Sequence, residues 1–300
     1  MASERVKNFS GQILSNSKII ELKVDRLNMN IRTFFFIGLI LCLGTMANGD
    51  IQKQASEPTS GSGKTFLYTA KKLGVPILRA SIKIDNGSLE QGRPIYHIQA
   101  DVNSLAYAGF LFRMNNRFTS TMEAETCSPI RYVKEINQEG LLIEKKNYLQ
   151  ILTFDHPNKK VVIEQSEMRE KQEIPLKPGT YDPLSMFARC YLKEELHPGE
   201  DIRMSIYDGV RLRQMVFHSK KEKVKTKGYG EVEAVCLESA TPFTTFGDKE
   251  GIIRIWYTAD GKKIPISLEL DLPIGSIKFE LEEVKEGWEI KITNPPFPPL

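Results

Sequence analysis

Along residues 65 to 293, apolar and polar side chains trade places at every step in one segment after another. Leu78, Ala80, Ile82 and Ile84 alternate with Arg79, Ser81, Lys83 and Asp85, and Tyr96, Ile98, Ala100 and Val102 alternate with His97, Gln99 and Asp101. Toward the C-terminus Ile264, Ile266, Leu268 and Leu270 oppose Lys263, Pro265, Ser267 and Glu269. Ile277, Phe279 and Leu281 oppose Lys278, Glu280 and Glu282, and Trp288, Ile290 and Ile292 oppose Glu289 and Lys291. A period of two sends alternate side chains to opposite faces of a strand, so each run predicts a strand with one buried and one wet face. Asn86-Gly87, Asp208-Gly209 and Asp260-Gly261 fall between such runs. These dipeptides accept the positive φ that two-residue hairpin turns require, which makes the strands antiparallel neighbours.

One segment has a different period. In YDPLSMFARCYLKEEL, residues 181 to 196, Asp182 suits an N-cap and Pro183 the first helical position, where its missing N–H costs nothing. Leu184, Phe187, Cys190 and Tyr191 share one helical face, and His197-Pro198-Gly199 stops the helix. The expected fold is therefore mainly β: long antiparallel strands in a curved sheet or barrel-like two-layer domain, with one α-helix near 182–196. Strands of about 65–165 and 200–293 stand before and after that helix as two layers of one domain.

The N-terminal region reads differently. FFFIGLILCLGTMA, residues 34 to 47, is too short for a comfortable membrane span, which takes about 20 residues. Preceded by Arg32 and followed by Ala47-Asn48-Gly49, it fits a signal peptide spanning residues 1–49 with cleavage before Asp50. Met29 opens a complete compact signal by itself, so residues 1–28 read as an extension and Met29 as a candidate start in place of Met1. Residues 50–64 read as a flexible Ser/Gly linker, 65–293 as a single domain, and the proline-rich 294–300 as an extended tail.

PTSGSGKTF, residues 58 to 66, resembles a phosphate-binding loop only in part: Pro58 takes the slot that needs glycine, and no buried strand precedes it. No nucleotide partner is expected. Nor is a nucleic acid, because the leader holds six of the 41 basic and three of the 38 acidic residues, which leaves 35 of each in the mature chain.

Candidate chemistry is sparse. Cys127, Cys190 and Cys236 remain after processing, without a CxxC spacing. They read as three core thiols, with one disulfide bridge as the alternative. His97, His156, His197 and His218 are far apart and are expected at the surface. No residue set earns a catalytic, cofactor-binding or metal-ligating role, and no cofactor is expected. Lys221, Lys223, Lys225 and Lys227 recur at every second position, as on an exposed edge strand that resists aggregation. A contact with anionic lipid head groups is the other reading of that stripe.

Several phrases taken together carry a resemblance. FLYTAKKLGVPILRASIKI, SPIRYVKEI, ILTFDHPNKKVVI, YDPLSMFARCYL, LHPGEDIRMSIYDGVRLRQMVF and GIIRIWYTADGKKIPISLELDLPIGSIKFEL occur in that order over nearly the whole mature chain. The chain thereby resembles the exported bacterial proteins grouped as domain of unknown function 3108. The resemblance implies a signal peptide, a periplasmic or cell-envelope location, and a β-rich, barrel-like fold. It supplies no catalytic residues.

The expectation is an exported, non-enzymatic cell-envelope protein that binds or carries a lipid or other amphipathic ligand, or assists envelope assembly. No transmembrane segment should remain once the signal is removed. The alternative is a hydrolase acting on an envelope polymer.

Overall fold

The computed structural model describes residues 63–288 apart from 86, 91, 110, 142–144, 167–169, 244–248 and 273–274. The expected signal peptide, most of the linker and the tail lie outside the described residues.

Among the described residues sixteen strands form one sheet. They are β1 (Gly63–Lys72), β2 (Val75–Ile84), β3 (Ser88–Glu90), β4 (Arg93–Ser104), β5 (Phe112–Glu123), β6 (Pro129–Gly140), β7 (Lys146–Asp155) and β8 (Lys160–Gln165). The series continues with β9 (Gln172–Pro175), β10 (Thr180–Tyr181), β11 (Asp201–Tyr207), β12 (Leu212–Thr226), β13 (Gly230–Phe243), β14 (Lys249–Thr258), β15 (Pro265–Leu272) and β16 (Gly275–Trp288). One helix, α1 (Pro183–Leu192), lies between β10 and β11. The expected linker thus ends early: Gly63 and Lys64 already pair in β1 with Trp288 and Glu286.

The strand order is β10-β11-β12-β13-β14-β15-β16-β1-β2-β4-β5-β6-β7-β8-β9, with β3 attached to β4. Neighbours are antiparallel except β10 and β11. The front and back sets of strands are therefore two halves of one sheet, joined where β1 pairs with β16 from Gly63↔Trp288 to Lys72↔Ile277. β9 and β10 are the two edges of this sheet, yet only residues 176–179 separate them in the chain. Five Cα steps reach at most about 18 Å, so the sheet must curl until its edges nearly meet. The result is barrel-like, with a seam that no backbone ladder closes among the described residues.

Inward positions are those the alternation predicts. Leu78, Ala80, Ile82 and Ile84 are buried, as are Ile264, Ile266, Leu268 and Leu270, and Ile277, Phe279 and Leu281. His97 departs from the pattern at 4% exposure. It does point away from the main core, but β3 folds beside it: its Nε2 lies 3.4 Å from Glu90 and its Nδ1 3.1 Å from the Thr121 hydroxyl. The other three histidines are exposed, as expected.

The turns also differ from expectation. Gly87 and Gly209 adopt positive φ, but their connections span residues 85–87 and 208–211, and in the 259–264 loop it is Lys263, not Gly261, at positive φ. Side chains widen these turns by capturing backbone N–H groups. The Asp208 carboxylate accepts from Val210 and Arg211, and Asp260 accepts from Lys262.

A two-residue turn occurs instead at Leu73-Gly74, with φ of 51° and 80°, between the paired Lys72 and Val75. Both central residues at positive φ is the geometry that prefers Asn-Gly. Leu73 is 92% exposed and packs on nothing that offsets its strain. Leu73→Asn should therefore stabilise the protein by about 1 kcal/mol, seen as a higher urea midpoint at unchanged slope. An unmoved midpoint would contradict this reading of the turn.

The helix begins as expected. The Asp182 side chain accepts from the Leu184 and Ser185 amides, and the Ser185 hydroxyl in turn accepts from the Asp182 amide, a full capping box. It stops at Leu192 instead of 196, where the Arg189 carbonyl accepts from both Lys193 and Glu194 and tightens the exit. Its burial is broader than one face: Leu184, Ser185, Met186, Phe187, Ala188, Cys190 and Tyr191 are all buried. A helix covered on all sides lies in an interior. The Tyr191 ring meets Phe66 of β1 edge-on at 5.3 Å, Phe187 lies 6.3 Å from Tyr257 of β14, and Asp182 bonds Ser120 of β5. The sheet wraps around the helix. Among the described residues no helix is long and apolar enough to cross a membrane.

Candidate ligand site inside the barrel

The space between α1 and the inner face of the sheet is not completely filled. A cavity of about 100 Å³ remains, its walls including Ala80, Ala100, Phe118, Tyr132, Leu184 and Phe279. Ala80 of β2 pairs with Val102 of β4, and Ala100 of β4 pairs with Ile82 of β2 and Phe118 of β5, so two short side chains stand among larger ones in this wall. Tyr68, whose hydroxyl bonds the Pro265 carbonyl at 2.8 Å, supplies another wall.

Polar groups lie beyond both ends of this apolar space. On one side is Asp182, fully buried. Its Oδ1 accepts the Leu184 and Ser185 amides at 2.8 and 3.0 Å, and its Oδ2 accepts the Ser120 hydroxyl at 2.6 Å. Burial nonetheless pushes its pKa above the ordinary value, against the pull of those hydrogen bonds. Ser120 and Asp182 are thus occupied in starting the helix.

On the other side the inward positions change character together. One inward step along each strand leads from Val102 to Ser104, Phe118 to Asn116, Tyr132 to Lys134, Leu152 to Gln150, Ile206 to Asp208 and Met215 to Arg213. Asn116 pairs with the wall residue Val102 and Lys134 with the wall residue Phe118, so these polar side chains stand beside the cavity wall. Ser104, Asn116, Lys134, Gln150 and Asp208 are buried, Lys134 at 4% and Asp208 at 1% exposure, while Arg213 is half-buried. Lys134 Nζ donates to the Asp208 carbonyl at 3.1 Å, and Arg213 is ion-paired with the Asp208 carboxylate. The Lys134 bond ties β6 to the residue that follows β11, in the other half of the sheet.

No reading of the sequence singled out this layer. Its signal was present: Lys134 and Gln138 are in phase with the apolar Tyr132 and Ile136 in YVKEINQ, where an exposed charge would be out of phase.

The three cysteines are free and buried. Burial pushes the thiol of Cys127 up to about 11 and those of Cys190 and Cys236 up to about 12, so they remain protonated and unreactive at neutral pH. The lysine stripe lies on the outer part of β12. Beyond the Asp201↔His218 pair β12 has β13 on one side and no strand on the other among the described residues. Glutamates of β13 partner two of its lysines, Lys221–Glu233 at 2.7 Å and Lys223–Glu231 at 3.8 Å, while Lys227 falls in the following turn. The stripe is the exposed edge expected, with much of its charge offset by neighbours. A larger, solvent-open recess of about 780 Å³ lies at one mouth of the barrel between Tyr229, Val232, Asp260 and Val284.

The family model described as "Protein of unknown function (DUF3108)" matches residues 66–282. Among solved structures, the chain is similar in fold to the crystal structure of a beta-barrel-like protein of domain of unknown function DUF1849 from Brucella abortus. The likeness has a TM-score of 0.50 at 11% identity and covers 75% of this chain and 98% of that one. No curated protein matches the chain.

Proposed function

The chain belongs to the DUF3108 family, and from that premise we propose that it is an exported, non-enzymatic protein of the cell envelope whose barrel holds the end of a slender apolar chain. The apolar cavity between the internal helix and the sheet carries this reading. A dry pocket lined by aliphatic and aromatic side chains favours hydrocarbon over water, because a water there would find too few polar partners. Its size sets what enters. Pockets for whole drug-sized ligands run from roughly 300 to 1,000 Å³, so 100 Å³ suits a chain end and not a complete lipid. The apolar segment 34–47 with its flanking Arg32 and Ala47-Asn48-Gly49 supports export.

Methyl NMR with n-pentane tests the pocket. Added pentane should shift the Ala80, Ala100 and Ile82 methyl resonances of the wild type, and Ala100→Val, which fills part of the space, should abolish the shifts while leaving the fold intact. Unshifted wild-type methyls would refute the proposal. Export is tested by fractionation, with the mature chain starting at Asp50 expected outside the cytoplasm; a cytoplasmic chain retaining residues 1–49 would overturn it.

A further inference from the structure

Connections between antiparallel neighbours alternate between the two ends of the barrel. The strand order puts β1–β2, β4–β5, β6–β7 and β11–β12 at one end, and β5–β6, β7–β8 and β12–β13 at the other. Contacts agree: the Tyr107 hydroxyl donates to the Pro76 carbonyl beside the Leu73-Gly74 turn, and Gly140 pairs with Phe112 where the β4–β5 and β6–β7 connections meet. Seven large apolar side chains are exposed among the described residues, and five of them stand at the first end: Leu73, Val75, Tyr107, Leu141 and Val210. Each belongs to a turn or to the strand residue beside it. Turns at the opposite end carry Glu125, Thr126, Asn158 and Lys159 instead. Single exposed apolar residues are ordinary on a protein surface, but their concentration on one rim marks a contact. We propose that this rim rests on a bilayer surface rich in anionic lipid, its apolar turn tips entering the headgroup region.

Charge identifies the partner. Lys71, Lys72, Arg113, Lys145, Arg211 and Lys278 lie in the turns and strand ends of this rim, against the carboxylates Glu139, Asp271 and Glu280. Glu139 is shared between Arg113 and Lys145, and Glu280 between Lys71 and Lys278. Asp208 is buried and ion-paired with Arg213. The rim therefore carries a positive surplus around its apolar tips. Anionic head groups attract cations held within about 10 Å, while leucine, valine and the amphipathic tyrosine ring enter the interface. Tips on separate turns suit a fluid interface, which needs no matching relief. Lys225 and Lys227 of the lysine stripe stand at the opposite end, since β12 runs away from the β11–β12 turn. The rim is outside the barrel, so its partner does not depend on what the cavity holds.

Co-sedimentation of the mature protein with vesicles is the test, using phosphatidylcholine alone and phosphatidylcholine mixed with phosphatidylglycerol. Mixed vesicles should bind the wild type at least about 10-fold more tightly than neutral ones, and molar salt should remove most of that difference. Leu73→Asn combined with Leu141→Ser should weaken binding to mixed vesicles by about 10-fold or more, because two tips no longer enter the interface. Both positions are exposed, so circular dichroism should show an intact fold. Lys72→Gln with Arg211→Gln should reduce the preference for mixed vesicles, and Lys225→Gln with Lys227→Gln should leave it unchanged. A wild type that stays in solution with both vesicles would overturn the proposal, as would binding that survives the tip variant and falls with the Lys225 and Lys227 variant. Sedimentation velocity without lipid covers the remaining occupant: a wild type that self-associates, a tip variant that stays monomeric and no vesicle binding would assign the rim to a second copy and overturn the bilayer reading. The wild-type comparison of the two vesicles decides without any variant, so a variant that fails to fold does not rescue the proposal.

Discussion

Replacing Asp182 with alanine should lower the unfolding free energy by about 3 kcal/mol or more. An N-cap is worth about 1 kcal/mol in ordinary settings. Here the residue is fully buried, and its loss also strands the Ser120 hydroxyl and the Leu184 and Ser185 amides away from solvent. Each unsatisfied buried group costs about 1–3 kcal/mol. For a domain of this size the change corresponds to a melting temperature lower by about 6–12 °C. Asp182→Asn keeps an acceptor for both amides and should lose much less. Equal melting temperatures for the alanine variant and the wild type would show that the cap does not hold the helix in the barrel.

The asparagine variant also reads the ionisation of Asp182. Burial is the largest influence and raises this pKa above its ordinary 3.8. The folded state therefore retains a proton that the unfolded chain releases. That contribution to stability is complete below about pH 3.8 and is lost as the pH rises through the raised value. Asparagine has no such proton. Wild type should consequently lose ground to Asp182→Asn as the pH increases from 3.5 to 7; a gap constant over that range, or one that moved the other way, would contradict the raised pKa.

Gly140→Ala should be nearly as damaging, at about 3 kcal/mol, for a different reason. A Cβ there would stand 2.4 Å from the Phe112 Cα and 2.5 Å from the Leu111 carbonyl oxygen. Both obstacles are backbone, and Phe112 is the residue Gly140 pairs with where β5 meets β6. The strands would have to separate. Gly179→Ala offers the control: it has positive φ but nothing within 4 Å, so only the left-handed backbone cost of about 1–2 kcal/mol applies. Urea midpoints that rank the two variants in the opposite order would show that β5 and β6 adapt more readily than their pairing suggests.

Much of the shell is legible in the sequence because burial on one face imposes a period of two, and Ala80, Leu268 and Phe279 are inward wherever that period places them. The Asp182-Pro183 helix start is legible for an equally local reason: cap and first turn are set by neighbours in the chain. Closure is not local. That β1 pairs with β16, or that residues 176–179 carry the chain from one sheet edge to the other, depends on partners more than a hundred residues apart. Met186 and Ala188 show the same limit, since nothing in a helical period reveals that a sheet surrounds the helix. The alternation around His97 predicts exposure because a period of two describes faces, not what folds over them later in the chain. Lys134 was hidden by its type: a lysine in an alternating strand suggests solvent, and only its phase with Tyr132 and Ile136 points inward.

The central claim is that the barrel interior holds a small apolar-tailed ligand. Native mass spectrometry of the mature protein purified from the cell envelope, followed by solvent extraction, addresses it directly. The account predicts a protein mass increased by one small single-chain species, released on unfolding and absent from the Ala100→Val variant. Protein of bare mass throughout, with nothing extractable from it, would contradict the claim.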